Sequence, residues 1–250
     1  MRQLLKLTIA YDGTDFKGWQ DSRMGPSIEG TLRTAIEKIQ QHPVSLDAAS
    51  RTDAGVHADA QLVTFSTPQL RKDPASFLLS LNCLLPPSIR VLDVVEEADD
   101  FHPSLSAEGK IYHYWLANGV VLPPKWRWTT WHTPGALDLA LMHEAARLLI
   151  GTHNFAAFCN ELSNTHFSDT YRTLTAINIS QYEDNRLCIH ISGTNFLYKM
   201  VRNIVGTLVY IGRRRLSIEM LHRLLENGIR AEAGVTAPAQ GLTLHKVLYS

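Results

Sequence analysis

The sequence predicts an α+β fold made of two similar halves, and three observations carry that reading. Apolar residues alternate over some short segments and recur at helical spacing over others. Turn residues separate the two kinds of segment. The order of strands and helices in residues 1–105 then reappears in residues 106–250. Each half reads as β-α-β-β-α-β, a split β-α-β unit with an antiparallel sheet and its helices on one face.

Leu4–Tyr11 opens the first half as a strand and ends in the turn signal Asp12-Gly13. Ser27 is the N-cap of a helix whose apolar stripe runs Ile28, Leu32, Ile36 and Ile39. A short strand follows Pro43, a polar loop spans Arg51–Ala58, and Leu62–Phe65 forms the next strand. Pro74 opens a second helix through Leu78 and Leu81, which Pro86-Pro87 stops, and Ile89–Val95 completes the half. In the second half, Ser106–Ala117 is a long strand carrying Tyr112 and Tyr114. Leu137–Ile150 is a helix with Leu139, Met142, Ala146 and Leu149 on one side, closed by Gly151. Leu174–Tyr182 and Leu187–Ser192 form a hairpin around Glu183-Asp184-Asn185. Asn195–Ile211 and Ser217–Glu226 read as helices, and Leu242–Tyr249 as the last strand.

Composition narrows the classes. The 250 residues are 45% hydrophobic with 24 basic and 24 acidic side chains, which supports a packed core and excludes global disorder. The most apolar stretch, Phe196–Gly212, holds Lys199, Arg202 and Asn203, too polar for lipid. Residues 1–10 show no secretory signal, and Cys83, Cys159 and Cys188 lack the spacing of a disulfide framework or zinc site. The eleven histidines form no local ligand pair either, so the expectation is a cytoplasmic protein with no structural metal. Zero net charge hides an asymmetry: residues 1–100 carry 10 basic and 14 acidic side chains, residues 101–250 the reverse excess. From Asn185 to Ile218 there is no acid, but there are Arg186, Lys199, Arg202, Arg213, Arg214 and Arg215. Such a stretch fits either a phosphate-bearing partner or a cluster at a helix end.

The loop Ser50-Arg51-Thr52-Asp53-Ala54-Gly55-Val56-His57-Ala58 is the first candidate for chemistry. A carboxylate two residues from a guanidinium can stay ionised and act as nucleophile or base; it can equally organise the loop through an Asx-turn. His57 fits a general base or a histidine packed on the next strand.

Arg51–Ala58 resembles the signature of the tRNA pseudouridine synthase A (TruA) family. Companions occur in the family's order: Tyr11-Asp12-Gly13-Thr14 with Gly18-Trp19-Gln20; Phe101-His102 with Ser106-Ala107; Lys110 with Tyr112 and Tyr114; His153-Asn154-Phe155 with Phe158; Phe196-Leu197; Met200 to Gly206; and Ala237-Pro238-Ala239 with Gly241-Leu242. The resemblance therefore runs from residue 11 to residue 242. It implies two ferredoxin-like halves around a central RNA-binding, catalytic cleft, with 1–105 carrying the aspartate loop and 106–250 the active-site tyrosine, arginine and basic stretch. It also implies isomerisation of uridine to pseudouridine in the anticodon stem-loop of tRNA, by a homodimer. No cofactor is implied, in keeping with the lack of nucleotide-cofactor and P-loop signatures. By matched position Asp53 is the essential aspartate, Tyr112 the tyrosine against the target base, Arg202 the partner of the aspartate, and Arg51 a contact to the displaced base or adjacent RNA. Lys110, Lys199, Arg213, Arg214 and Arg215 are candidate RNA contacts.

Two departures stand out. Ser104 occupies a place where the family commonly has an arginine associated with base displacement, and serine supplies neither its charge nor its reach. Arg214 stands where glycine is frequent. Two other classes fit parts of the sequence: an RNA-binding protein without catalysis on the same fold, and a glycoside hydrolase pairing Asp53 with Asp59 or Asp12. The joint presence of Asp53, Tyr112 and Arg202 argues against the first, and the second would release a free base or sugar.

Overall fold

The structure, a computed structural model, describes residues 2–22, 24–160 and 169–249, with the backbone alone at residue 227. It divides into two compact units, Met1–Glu108 with Thr243–Ser250, and Gly109–Leu242.

In the first unit β1 (Gln3–Tyr11) buries Leu5, Leu7 and Ile9 on one face, as its alternation predicts. It lies between β3 (His57–Thr67) and β4 (Ile89–Glu97), antiparallel to both. The short β2 (Asp47–Ala48) pairs antiparallel with β3 at Val63 and Thr64. The order β4-β1-β3-β2 is the one a split β-α-β unit requires. Helix α1 (Ile28–Gln40) starts where Ser27 Oγ accepts from the Gly30 amide at 3.1 Å, and it buries Ile28, Leu32, Ala35 and Ile36. Helix α2 (Pro74–Leu84) is capped by Asp73, opened by Pro74, and buries Phe77 and Leu81; Phe77 packs on Phe65 with ring centroids 5.9 Å apart.

The second unit holds β5 (Gly109–Ala117), β6 (Trp131–His132), α3 (Leu139–Leu148), β7 (Gly151–Asn154), β8 (Tyr171–Gln181), β9 (Arg186–Gly193), α4 (Met200–Gly212) and α5 (Ile218–Asn227). Its antiparallel order is β5-β9-β8-β7, with β6 parallel on the other edge of β5. Helix α4 buries eleven of its thirteen residues, so the most apolar stretch of the sequence is a core helix. None of the helices among the described residues is long and apolar enough to cross a membrane.

Several boundaries differ from the sequence reading. Helix α4 begins at Met200 instead of Asn195, because Lys199 takes a left-handed conformation (φ 60°) that ends any helix running into it. Asp138 caps α3 at Leu141, and Gly151 (φ 110°) turns the chain into β7, which shortens the helix expected over 137–150. The sequence carries no sign of β6 and β7, which at two and four residues are too short to show a period. The boundary expected at 105/106 falls at 108/109. The last strand, β10 (Leu242–Leu248), read as the close of the second half, pairs in parallel with β3 through Thr243–His57 and Leu244–Ala58. Residues 243–250 thereby return to the first unit.

Candidate active site

Asp53, Arg51 and His57 stand in the first unit, and Tyr112, Arg202, Lys110, Lys199, Arg213, Arg214 and Arg215 in the second. The Asp53 loop is held from several sides. At its base, the buried Gln61 accepts from Ser50 N at 3.2 Å and donates to Ser50 O at 2.5 Å. One residue before the aspartate, the Thr52 carbonyl accepts from Trp19 N at 3.0 Å, and Thr52 Oγ1 shares a 2.8 Å hydrogen bond with the Tyr11 hydroxyl. After it, Val56 N donates to Asp53 O at 3.1 Å, closing a turn whose third residue, Gly55, has φ 79°. A Cβ on Gly18 (φ 96°) would sit 2.7 Å from Thr52 O, and one on Gly13 would collide with Val56 O. Only glycines let these two segments lie directly on the loop backbone.

Asp53 is half-buried within this frame, whereas Arg51 is exposed and, among the described residues, forms no ion pair. Closeness in sequence is thus not a contact in the fold. His57 is buried, and its Nδ1 accepts from Gly13 N at 3.2 Å, which makes it a strut between loop and strand. Partial burial works to raise the Asp12 pKa, but hydrogen bonds from the Thr14 amide and hydroxyl outweigh it and hold the carboxyl below its ordinary value.

In the second unit Tyr112 and Tyr114 share a face of β5. Tyr112 meets Phe196 edge-on, with centroids 5.0 Å apart. Tyr114 is fully buried and donates to Pro238 O at 2.8 Å, while Gly241 lies so close to its ring that a Cβ there would come within 2.5 Å. Burial pushes the Tyr114 phenol well up, against the opposing charge of Arg202. Arg202, in the first turn of α4, donates from Nε to Ala237 O at 2.7 Å. Lys199 is half-buried at the helix cap, its ammonium 4.8 Å from the Tyr198 ring centroid, and burial lowers the pKa of Lys110.

The acid-free stretch is not acid-free in space. Arg186 pairs with Asp184 at 2.8 Å and packs over Trp126 and Trp115; Arg214 pairs with Asp138 at 2.9 Å. Arg213 donates to Thr133 O, Thr133 Oγ1 and Pro134 O at 2.6–3.0 Å, tying the end of α4 to the loop after β6. Arg215 is exposed beside Tyr210. Arg214 has φ 58°, which explains why glycine suits that place. Ser104 is exposed in a turn tied at both ends: His102 Nδ1 accepts from Ser104 N and Leu105 N, and Tyr249 Oη donates to Pro103 O.

Folding also brings together a potential metal-ligand set that local spacing does not reveal. His113, Cys188 and His190 lie on one face of the β5–β9 pair, with donor atoms within 4.8 Å of one another. Burial pushes the Cys188 thiol up to about 12, so it is protonated near neutral pH.

Comparison with known proteins identifies the family. A family profile described as tRNA pseudouridine synthase matches residues 145–250. The tRNA pseudouridine synthase A 2 of Protochlamydia amoebophila (strain UWE25) is 48% identical over 247 residues, covering 99% of this chain and 94% of that protein. The tRNA pseudouridine synthase A 1 of Desulfotalea psychrophila (strain LSv54 / DSM 12343) is 39% identical over 97% of this chain and 98% of its own length. Among solved structures, a Cbf5-Nop10-Gar1 complex aligns with 91% of this chain and 69% of its own at a TM-score of 0.34 and 11% identity, too low a likeness to add to the fold described above.

Proposed function

The chain belongs to the tRNA pseudouridine synthase A family, and on that premise we propose that it isomerises uridine in the anticodon stem-loop of tRNA with Asp53 as its essential carboxylate. In this reaction the N1–C1′ bond breaks, the base turns, and a C5–C1′ bond forms. The C5 proton leaves and N1 gains one, so no redox partner or group donor is needed. What the protein must supply is one fixed carboxylate and a place for a base removed from its stack.

The observation that carries the reading is the clamp on the Asp53 loop. Thr52 is held by Trp19 and Tyr11, Ser50 by Gln61, and two glycines press on the backbone, while the carboxylate's own residue stays half-buried. A loop built only to connect strands has no use for such fixation; a group that must meet a sugar or base at a set angle does. Tyr112 then provides the ring for the target base, Arg202 partners Asp53, and Arg51, exposed beside the loop, contacts the displaced base or neighbouring RNA. The working form is a homodimer in the cytoplasm, with one tRNA touching both subunits.

The test uses tRNA tritiated at uridine C5. Tritium is released only when C5 forms the new bond, so the wild type should release it and Asp53→Ala should not. Tight tRNA binding without release by either protein would overturn the reading in favour of a non-catalytic RNA-binding protein. Liberation of free uracil would favour a glycosidase.

A further inference from the structure

The guanidinium of Arg202 is hydrogen-bonded to a neighbouring segment of chain. Its Nε donates to Ala237 O, and its own carbonyl accepts from Ala237 N at 3.1 Å, so residues 234–238 run along the start of α4 as a strap. The residue next to Arg202 holds that strap. Asn203 is wholly buried, and its side chain uses every hydrogen-bonding position it has. Nδ2 donates to Phe158 O at 2.7 Å and Asn160 Oδ1 at 2.8 Å. Oδ1 accepts from Thr236 Oγ1 at 2.7 Å and from Arg230 at 2.9 Å. Arg230 closes the circuit by donating to Thr236 Oγ1 at 2.9 Å and Gly234 O at 2.8 Å. Thr207, one turn along α4, accepts from Gly234 N at 3.1 Å. Gly206 and Gly234 bring the backbones into contact, and a Cβ on Gly206 would strike Val235 O.

We propose that Asn203, Arg230 and Thr236 are positioning residues that fix the orientation of Arg202 through the strap and its Ala237 carbonyl. The inference rests on the reading of Arg202 as a site residue. Among the described residues no carboxylate pairs with Arg230, so a cation is kept half-buried on neutral acceptors alone. Burial lowers its pKa accordingly. An apolar strap would hold α4 at less desolvation cost, which points to placement rather than stability as what the network provides. With Asn203 wholly buried and all its hydrogen-bonding positions used, the network favours one arrangement, and that arrangement sets where the Ala237 carbonyl stands.

The test removes one hydroxyl. Thr236→Val keeps the volume but loses the bonds to Asn203 and Arg230, and Thr236→Ser restores them. Single-turnover tritium release at saturating tRNA should fall on the order of tenfold in Thr236→Val and recover in Thr236→Ser, with tRNA affinity unchanged. Arg230→Met, which retains the aliphatic stem, should act in the same way from the other end of the network. In an Arg202→Lys background Thr236→Val should add no further loss, whereas a residue serving stability alone gives additive losses. Additive losses, or wild-type turnover in Thr236→Val, overturn the proposal. Wild-type turnover in Arg202→Lys instead overturns the reading of Arg202 itself, which separates the two failures.

Discussion

Ser104 shows what a single side chain decides. The turn around it is tied down by His102, by Ser106 and by Tyr249 on Pro103, so residue 104 is presented outward from a fixed base. A hydroxyl there ends close to the backbone, whereas an arginine would project a long cationic fork able to hold a phosphate or replace a displaced base. Ser104→Arg should therefore raise the rate of tritium release several-fold on the same tRNA without changing stability, since the position is exposed. Equal single-turnover rates for the two proteins would show that base displacement is supplied elsewhere. Asp53 is singled out by the sequence, by contrast, because its neighbours form a continuous signature. Asn203 was visible only as one letter of a motif, because its partners Phe158, Asn160, Arg230 and Thr236 are scattered over the chain. No local period encodes such a network.

At the scale of elements, the loop that carries Asp53 is as much a product of residues 11–19 as of its own. The Trp19 amide and the Tyr11 hydroxyl hold Thr52, and Gly18 leaves no room for a side chain against the loop. Gly18→Ala combines a 2.7 Å clash with Thr52 O and a φ of 96° that suits only glycine, at a cost of about 1–3 kcal/mol. The loop should shift to relieve it, so turnover should fall on the order of tenfold or more even at temperatures well below the lowered melting midpoint. Thermal unfolding followed by tritium release at a common low temperature checks this; a lower midpoint with full turnover would show that the clamp serves stability alone. The elements themselves were largely legible. Alternation in β1, the Ser27 cap of α1, and Pro74 with Pro86-Pro87 around α2 are local signals. What failed was also local: one left-handed residue, Lys199, delays α4 by about a turn, and β6 and β7 exist because longer strands offer them an edge.

For the whole molecule, zero net charge means that RNA must be attracted by where charges stand rather than by their sum. The sequence places an excess of four cations in residues 101–250, but the fold changes which of them are available. Arg186 is paired with Asp184 and stacked between aromatic rings, Arg214 is paired with Asp138, and Arg213 is occupied by Thr133 and Pro134. Arg215 remains exposed, and Lys199 half-exposed at the start of α4. Binding of tRNA should weaken steeply with salt: four phosphate contacts would give a loss on the order of a hundredfold for a fourfold rise in salt concentration. The individual cations then separate in a way that charge counting does not foresee. Arg215→Gln should lower the slope of log affinity against log salt by about 1, the signature of one lost phosphate contact. Arg186→Gln should leave the slope unchanged, because its charge is already met within the protein. Equal slope changes from both would mean that RNA displaces Asp184 from Arg186, and a flat salt response would mean that phosphate contacts do not govern binding.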